Sequence, residues 1–377
     1  MHNAETQTWA TEKLAQIEEK MIQVVQRNQG IIPYTTDEQS NFKDMFKEVP
    51  TWWTNGFWGA LLWQMYVLTK DDLYRQEAIA TEEKLDSNLM DAEGLDHDNG
   101  FKWELTAVEN YRLTGAKDSR NRGLLAANNL AGRFNLNGRF IRAWNDWGDL
   151  NRSGLAIVDC LMNLPLLYWA SEETQDPRFK QIAVAHAKTA QEYLVRPDGS
   201  VKHIIVFDPE TGEYLHSEGG QGYAHGSSWT RGQGWGIYGF TLSYEYTKDE
   251  SFLNTAKQIA NYFIANIPNN GLIPIDFRQP TAPWLEDSSA AAIAASGLLE
   301  LAKYTTGRDQ EVFQAAAVKI LEALAAHSCD WQLDHDNLLT KCSASYDEEN
   351  HEYPIIYGDY FFIEALAKLA GREFKIW

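Results

Sequence analysis

The sequence predicts an all-α protein, folded as a six-hairpin (α/α)6 barrel in a single domain over residues 1–377. Twelve stretches of the chain have helical periodicity, and almost none alternates as a strand does. The stretches are of two kinds, one amphipathic and one apolar nearly all round. A helix without a polar face must be surrounded by protein, so six buried helices inside six amphipathic ones form a closed ring. An open superhelix would expose one face of every helix.

The predicted helices pair off along the chain as hairpins. In chain order they span residues 5–28, 54–69, 71–91, 101–115, 118–134, 153–171, 176–195, 231–247, 250–266, 287–305, 309–328 and 357–370. An outer helix such as 250–266 carries Lys, Gln, Glu and Asn on one face, whereas an inner helix such as 287–305 contains the apolar stretch SSAAAIAASGLLELA.

A recurrent helix end supports the hairpin pairing. In each copy, Tyr-x-x-Thr or Tyr-x-x-Ser is soon followed by an Asp that can cap the next helix. The copies begin at Tyr66, Tyr111, Tyr168 and Tyr244, with a looser one at Tyr304, and the capping candidates are Asp71, Asp118, Asp176, Asp249 and Asp309. Such a repeat, with two helices per unit and a period of roughly 50 residues, indicates a solenoid or a closed ring.

Composition excludes several classes of partner. With 44% hydrophobic residues, a chain of this length can bury one large core. The net charge of -20 argues against nucleic acid and anionic membranes, whose phosphates it would repel. Three cysteines without CxxC spacing favour a reducing compartment, and no stretch has the length and apolarity of a signal peptide or a membrane span. We therefore expect a cytoplasmic protein, a monomer or a weak homo-oligomer.

The loops that enter the inner helices differ in sequence from the rest of the chain. They are TWWTNGFW (51–58), LDHDNGF (95–101), AWNDWGDLNRSG (143–154), QGYAHGSSWTRG (221–232), PWLEDSS (283–289) and YPIIYGDYF (353–361). All of them should open at one rim of the barrel, where helix N-termini also present free N–H groups and positive dipole ends. This rim is the predicted site, and its ligand is expected to be anionic.

The segment SSWTRGQGW (227–235) sets Arg231 between two indoles, Trp229 and Trp235. Arginine offers a planar fork for a carboxylate, and tryptophan offers an apolar plane for a ring, so the segment suits a sugar that carries a carboxylate. Because the chain is acidic overall, a local cluster of Arg and His must then outweigh the negative electrostatic potential of the rest of the protein. The alternative is that the indoles are core packing and the glycines let two helices approach.

Asp159 is the first candidate for acid–base chemistry. It is predicted about a turn and a half beyond the cap Ser153, too deep for capping, in an apolar helix that Pro165 should bend. Burial should raise the pKa of its carboxyl, as a general acid near neutral pH requires. The alternative is a buried carboxylate that Asn163 or a neighbouring helix satisfies.

Asp98 is the second candidate, and its alternative is an ordinary helix N-cap. A metal site is not expected around it. Asp96, Asp98 and Gly100 do not have the spacing of a calcium loop, and His97 has no partner at the spacing of a metal ligand.

Motifs from about residue 50 to 370 carry a family resemblance. They are TWWTNGFW (51–58), HDNGF (97–101), IVDCLMNLPLLYWA (157–170), SSWTRGQGWGIYGF (227–240), IPIDFRQP (273–280), DSSAAAIAASGLLEL (287–301) and GDYFFIEAL (358–366). Together they resemble the unsaturated glucuronyl hydrolases, glycoside hydrolase family 88. The resemblance implies an (α/α)6 barrel that removes a non-reducing-end uronate with a C4=C5 double bond from lyase-generated oligosaccharides, with neither metal nor organic cofactor.

The resemblance also implies roles for individual residues. Asp159 matches the general acid/base and Asp98 the second catalytic aspartate. Substrate-binding roles follow for Trp53, His97, Trp144, His203, Gln221, Trp229, Arg231 and Trp235. We expect Asp98 to hold sugar hydroxyls and to raise the pKa of Asp159 by its negative charge. Arg231 and Gln221 would bind the substrate carboxylate, and Trp144 or Trp235 would stack on the ring.

The chain departs from the family pattern in two places. His225-Gly226 stands where many relatives have two acidic residues, and the loop 340–353 carries Asp347, Glu348 and Glu349. These carboxylates should repel a sulfate, which favours unsulfated chondroitin- or hyaluronan-type disaccharides. Three other functions stay open: a rhamnogalacturonyl-type hydrolase, a conventional inverting glycosidase that uses both aspartates on a saturated sugar, and a non-catalytic sugar-binding ring.

Overall fold

Two concentric layers of helices surround one axis in the computed structural model, which describes residues 4–146, 148, 150–372 and 375–377. The α-helices are α1 (Ala4–Arg27), α2 (Met45–Glu48), α3 (Asn55–Thr69), α4 (Asp72–Lys84), α5 (Asp86–Leu89), α6 (Glu109–Thr114), α7 (Lys117–Gly132), α8 (Pro165–Thr174), α9 (Pro177–Tyr193), α10 (Thr230–Thr247), α11 (Glu250–Asn266), α12 (Ser288–Lys303), α13 (Gly307–His327) and α14 (Ile356–Leu369). A π-helix, Gly100–Val108, runs into α6, and a 3-10 helix, Val158–Met162, precedes α8.

The inner layer closes on itself. Helix α3 packs on the π-helix, the ring continues through α8, α10 and α12, and α14 returns to α3. Residues of α12 and α14 are buried on all sides, whereas α1 and α11 bury one face only, as their sequences predict. The predicted (α/α)6 barrel in a single domain is therefore confirmed. No helix within the described residues is long and apolar enough to cross a membrane.

Short strands occupy the connections, where the sequence predicts almost none. They are β1 (Pro33–Thr36), β2 (Phe42–Asp44), β3 (Phe134–Asn135), β4 (Phe140–Ile141), β5 (Leu155–Ile157), β6 (Ile204–Phe207) and β7 (Tyr214–Glu218). Two pairs form hairpins, and β5, β6 and β7 form an antiparallel sheet. None is longer than five residues, so periodicity cannot reveal them.

The prediction of one helix over 153–171 is wrong. The chain instead forms β5 and then the 3-10 helix, and an α-helix begins only at Pro165. Proline suits the first position of a helix because the N–H that it lacks has no partner there. Pro165 therefore starts α8 and does not bend a longer helix. Asp159 consequently lies in the first turn of the 3-10 helix, not in the interior of an α-helix.

The predicted caps are correct at three of five positions. The carboxylates of Asp71, Asp176 and Asp249 each accept a backbone N–H two residues later, at 2.9–3.0 Å. Asp118 and Asp309 lie inside the first turns of α7 and α13, where the predicted capping role is wrong. A negative charge in a first turn still interacts favourably with the helix dipole.

Candidate active site

A cavity of about 570 Å³ opens at the rim where the inner helices begin. Eight of the ten predicted site residues line it: Trp53, His97, Asp98, Trp144, Asp159, His203, Gln221 and Arg231. Of the six loops expected at the rim, 283–289 and 353–361 do not line the cavity. They contribute Asp287 and Tyr357, which contact Arg231 from behind.

Asp159 reaches the cavity because of the small sheet that precedes it. Ile157 pairs with Ile204, and the Val158 N–H donates to the His203 carbonyl at 3.1 Å. His203 therefore lies beside Asp159, with 3.7 Å between Nε2 of the histidine and Oδ2 of the aspartate. The side chain of Asp159 is 15% exposed, and its Oδ2 has no hydrogen-bond partner among the described residues. This oxygen is buried beside His203, so the exposed part of the carboxyl is what a ligand in the cavity can contact.

The environment of Asp159 favours the protonated carboxyl. Burial raises its pKa from an ordinary value of 3.8 to about 6, while the charge of Arg231 and the indole N–H of Trp235 limit the rise. The Asn163 amide donates to the main-chain carbonyl of Asp159 at 3.4 Å and not to its carboxyl. The alternative that Asn163 satisfies this carboxylate is therefore wrong, and Asp159 has the pKa of a general acid.

His203 is held as a neutral ring. Its Nδ1 accepts the backbone N–H of Gln221 at 3.0 Å, so the ring proton is on Nε2, which faces Asp159. Burial, together with the charge of Arg231, lowers the pKa of His203 to about 3. The histidine can thus donate a hydrogen bond at neutral pH without carrying a positive charge.

Asp98 enters the cavity from a tightly held loop. The His97 N–H donates to the Ala143 carbonyl at 3.1 Å, and the Asp98 N–H donates to the Asp96 carboxylate at 2.9 Å. The Asp98 carboxylate accepts from the Asn163 amide at 3.2 Å and does not cap a helix, so the N-cap alternative is wrong. Its Oδ2 lies 3.5 Å from Nε2 of His97.

The electrostatic relation between the two aspartates is the reverse of the prediction. Burial raises the pKa of Asp98 well above 3.8, and the negative charges of Asp96 and Asp159 raise it further. Asp98 is not among the groups that raise the pKa of Asp159, for which burial is the cause. Asp98 is the more deeply buried of the two carboxyls, so it is the one that retains its proton to higher pH.

Among the described residues that line the cavity, only Arg231 supplies positive charge to the expected cluster. Burial lowers the pKa of His97 to about 4, so this ring is neutral at pH 7, as His203 is. Arg231 itself is 1% exposed and pairs with Asp287 at 2.9 Å. A burial penalty on imidazolium explains why neither histidine adds charge.

Arg231 is oriented by groups behind the cavity. It donates to the carboxylate of Asp287, to the Ser343 carbonyl at 2.8 Å and to the Ala344 carbonyl. Its guanidinium lies 4.7 Å from the ring centre of Trp229. Arg231 also donates to the Ser289 hydroxyl at 3.4 Å. Arginine has five N–H donors, more than these four acceptors require, so the fork can also bind a ligand from the cavity side.

The two indoles beside Arg231 do not line the cavity. Trp235 is fully buried and packs on Phe101 and Phe361, with ring centres 5.3 and 5.6 Å apart. Trp229 is 3% exposed and lies 4.3 Å from the His203 ring. Both tryptophans pack as core residues, and their predicted substrate-binding roles stay predictions.

Comparisons with known proteins agree with this geometry. The model of Glycosyl Hydrolase Family 88 matches residues 23–362. The chain belongs to this family. It is therefore a glycoside hydrolase, and the resemblance that the motifs carry is confirmed.

Named relatives of family 88 cover nearly the whole chain. It is 38% identical to an unsaturated glucuronyl hydrolase of Bacillus sp. strain GL1, over 86% of this chain and 88% of the relative. It is 32% identical to an unsaturated chondroitin disaccharide hydrolase of Streptococcus pneumoniae, over 97% of this chain and 93% of the relative.

Solved structures of family 88 superpose closely. The unsaturated glucuronyl hydrolase of Bacillus sp. GL1 gives a TM-score of 0.90 at 34% identity, with 96% of each chain covered. A mutant of the Streptococcus agalactiae unsaturated glucuronyl hydrolase, complexed with dGlcA-GalNAc6S, gives 0.82 at 28% identity, with 98% of this chain and 94% of that chain covered.

Aromatic walls flank the aspartates in this family 88 cavity. Trp53 is half-buried and packs against Tyr357, with 5.1 Å between ring centres. Trp144 is also half-buried, and the guanidinium of Arg152 lies 5.5 Å from its ring centre. Arg142 donates to the Trp144 carbonyl at 2.8 Å and thereby fixes the loop that carries this indole. These are the aromatic rings that a sugar in the cavity can contact.

Sequence reasoning missed several cavity residues. Glu93, Asp96, Asn145 and Asp146 line the cavity and belong to, or adjoin, the loops LDHDNGF and AWNDWGD. Their position next to recognised candidates is the only signal that could have found them. Trp147 and Asp149 of the same loop lie outside the described residues. Within the described part of the chain, no three His, Cys, Asp or Glu side chains are grouped to hold a metal ion.

Proposed function

We propose that the protein removes 4,5-unsaturated glucuronic acid from the non-reducing end of lyase-generated glycosaminoglycan oligosaccharides. The observation that carries the proposal is the carboxyl of Asp159, which lines the cavity, is 15% exposed and has a pKa of about 6. The relatives named as unsaturated glucuronyl and chondroitin disaccharide hydrolases support the same substrate class.

The proposed reaction is hydration of an enol ether. Protonated Asp159 delivers H⁺ to C4, and positive charge develops at C5 and the ring oxygen. A water adds at C5, and the deprotonated carboxylate accepts its proton, so the acid is regenerated. The product is a hemiketal, which opens and releases the rest of the oligosaccharide. Ordinary glycosidases instead need two carboxyl groups that flank the anomeric carbon.

Neighbouring groups would support these proton transfers. The Nε2–H of His203 is buried and faces Oδ2 of Asp159 at 3.7 Å, so this ring lies beside the acid, and its predicted contact with the substrate stays a prediction. Because the ring is held neutral, it does not compete for the proton. Asp98, with its raised pKa, would hold a sugar hydroxyl by donating or accepting a hydrogen bond.

The substrate carboxylate would bind at Arg231 and Gln221. Both side chains also donate to the Ala344 carbonyl, Gln221 at 2.6 Å, and this shared contact keeps their remaining N–H groups at one side of the cavity. A planar fork suits a carboxylate. The half-buried rings of Trp53 and Trp144, not the buried Trp235, are the surfaces on which a flattened sugar ring would stack.

We further propose a preference for unsulfated substrates. Glu348 and Glu349, on which the sequence argument depends, line a separate cavity with Asp37. Glu93 and Asp146 line the main cavity, and their carboxylates would repel a sulfate on a substrate bound there.

A panel of unsaturated disaccharides tests the proposed activity. Turnover is followed as loss of the ultraviolet absorbance of the C4=C5 bond, with saturated glucuronides as the matched control. We expect turnover of the unsaturated compounds only. Release of sugar from a saturated glucuronide would instead indicate a conventional inverting glycosidase, and preference for an unsaturated uronyl-rhamnose disaccharide would indicate a rhamnogalacturonyl-type hydrolase.

Paired sulfated and unsulfated disaccharides test the finer preference. We expect higher kcat/KM for the unsulfated member, and we expect Glu93→Gln to narrow the difference, whereas Glu349→Gln in the neighbouring cavity leaves it unchanged. Faster turnover of the sulfated member by the unaltered enzyme would contradict the preference without affecting the proposed reaction.

We also propose that the protein works in the cytoplasm. All three cysteines are free thiols, and Cys160 and Cys342 are buried in the barrel, where the thiol form packs as a small apolar group. Fractionation of the source cells with detection of the protein tests this location, and recovery outside the cytoplasmic fraction would contradict it.

A further inference from the structure

Asn163 connects the two aspartates from outside the cavity. It follows the 3-10 helix directly, is fully buried, and does not line the cavity. Its Nδ2 donates to Oδ1 of Asp98 at 3.2 Å and to the main-chain carbonyl of Asp159 at 3.4 Å. Its Oδ1 accepts the backbone N–H of Phe101 at 2.7 Å. One amide group therefore joins the segments that carry both carboxyls.

The two segments lie close together where Gly100 of the π-helix meets Asn163. A Cβ atom on Gly100 would lie 2.5 Å from the Cα of Asn163, nearer than real Cβ atoms approach, so glycine is needed where the π-helix meets Asn163. The Asn163 amide then lies between the backbone N–H of Phe101 and the carboxylate of Asp98 and bonds to both. A buried amide must find partners for its donors and its acceptor, and here each partner belongs to one of the two segments.

We propose that Asn163 is a positioning residue, which holds Oδ1 of Asp98 away from the substrate and fixes Asp98 relative to Asp159. Because Oδ1 is engaged with the amide, Oδ2 is the oxygen of Asp98 that lies toward His97 and the cavity. This inference rests on the proposed function, since it assigns Asn163 a task in the same reaction.

The asparagine is chemically specific for this task. An amide donates to one carboxylate and accepts from one backbone N–H in the same plane. A carboxylate at this position would keep the acceptor for Phe101 but lose the donor to Asp98, and it would add a third negative charge beside Asp98 and Asp159. Like charges at short distance disfavour ionisation of all three groups.

Asn163→Asp tests the inference, with Asn337→Asp as the matched control. Asn337 is also a buried asparagine with a side-chain bond to a backbone carbonyl, and it lies outside the cavity. For Asn163→Asp we expect kcat to fall about ten- to a hundredfold, because loss of the amide donor releases the Asp98 carboxyl from its position. We also expect the fall of activity with rising pH to move to higher pH. The control should change neither the kcat per folded molecule nor the pH profile.

An exchange of the two side chains provides a test that does not depend on turnover. Asp98→Asn combined with Asn163→Asp restores one donor and one acceptor, so the melting temperature of the double variant should exceed that expected from the two single variants. Turnover should stay low, because the carboxyl at position 98 is absent. Additive changes in melting temperature would overturn the inferred contact, even if the single variants fold poorly.

The outcomes separate the two proposals. If Asn163→Asp folds and keeps the kcat and pH profile of the unaltered enzyme on an unsaturated disaccharide, the positioning role is wrong and the proposed function stands. If the unaltered enzyme does not turn over any unsaturated disaccharide, the proposed function fails, while the exchange experiment still decides whether the contact exists.

Discussion

Two buried carboxyls at opposite ends of the barrel, Asp159 and Glu300, have pKa values shifted in opposite directions. At the rim, burial raises the pKa of Asp159 to about 6. At the far end, near the C-terminus of α12, burial also disfavours the charge of Glu300, yet Lys368 and Lys303 lower its pKa to about 2. The side chains are 15% and 8% exposed, so the difference does not arise from burial.

The partners explain the difference. The ammonium groups of Lys368 and Lys303 each lie 2.9 Å from the Glu300 carboxylate. Arg231, the cation near Asp159, is instead paired with Asp287 at 2.9 Å. Two cations bound to the Glu300 carboxylate outweigh its burial penalty, whereas the cation near Asp159 is bound to another group. The Glu300 site is therefore arranged for stability, and Asp159 keeps its raised pKa at the expense of stability.

The largest expected effect is the loss of turnover in Asp159→Asn. An amide cannot donate a proton to C4, so kcat should fall by at least about a thousandfold, while binding of the substrate is retained. Steady-state kinetics and calorimetric titration measure the two quantities. The matched control is Asp359→Asn, which changes a buried acid outside the cavity whose pKa is about 7. Turnover of Asp159→Asn within tenfold of the unaltered enzyme would remove Asp159 from its proposed role.

At the far end the corresponding change should affect stability. Lys368→Met leaves Glu300 and Glu364 without their shared buried cation and should lower the free energy of unfolding by about 3–5 kcal/mol. Denaturant titration measures this effect, and kcat per folded molecule should not change. Lys303→Met is the control, because its side chain is 37% exposed and exposed pairs contribute less than about 1 kcal/mol. Equal destabilisation by the two variants would contradict the comparison.

The pH dependence of activity tests the raised pKa of Asp159. The reaction requires protonated Asp159, so kcat/KM should fall as the pH rises through about 6, approaching a tenfold decrease per pH unit. A pH series of initial rates on an unsaturated disaccharide measures this limb. A plateau that extends to pH 8 would show that Asp159 is not the group that limits activity.

The smallest expected effect concerns stability. The pKa of Asp159 rises on folding from 3.8 to about 6, so ionisation opposes folding above that range. Asp159→Asn should therefore stabilise the protein by about 1–3 kcal/mol at pH 8, with no gain at pH 3.5. For Glu300 the sign is reversed, since its pKa falls from 4.5 to about 2. Glu300→Gln should destabilise at pH 7, with the loss fading as the pH drops toward 2. Thermal melts at the named pH values compare both variants.

The helices and their arrangement as a closed ring could be predicted from the local spacing of apolar residues. The predicted helix 250–266 matches α11, and 54–69 matches α3 within one residue, because helical periodicity depends on neighbours three or four positions away. The fold class, the acidic surface and both candidate aspartates needed nothing beyond the chain itself. The resemblance to family 88 added His203 and Gln221, whereas Glu93 and Asn145 were missed.

Tertiary contacts decided the rest. The segment around Asp159 became a strand and a 3-10 helix because β5 pairs with β6, nearly fifty residues later. Trp235 lies in the core because it packs on Phe101 and Phe361, and Arg231 is paired with Asp287, 56 residues away. Side-chain charge and orientation depend on such distant partners, which periodicity does not report. The sequence alone therefore predicted Asp98 and Asp159 at the rim and a raised pKa for Asp159, and only the packed barrel decided that the pKa of Asp98 is raised as well.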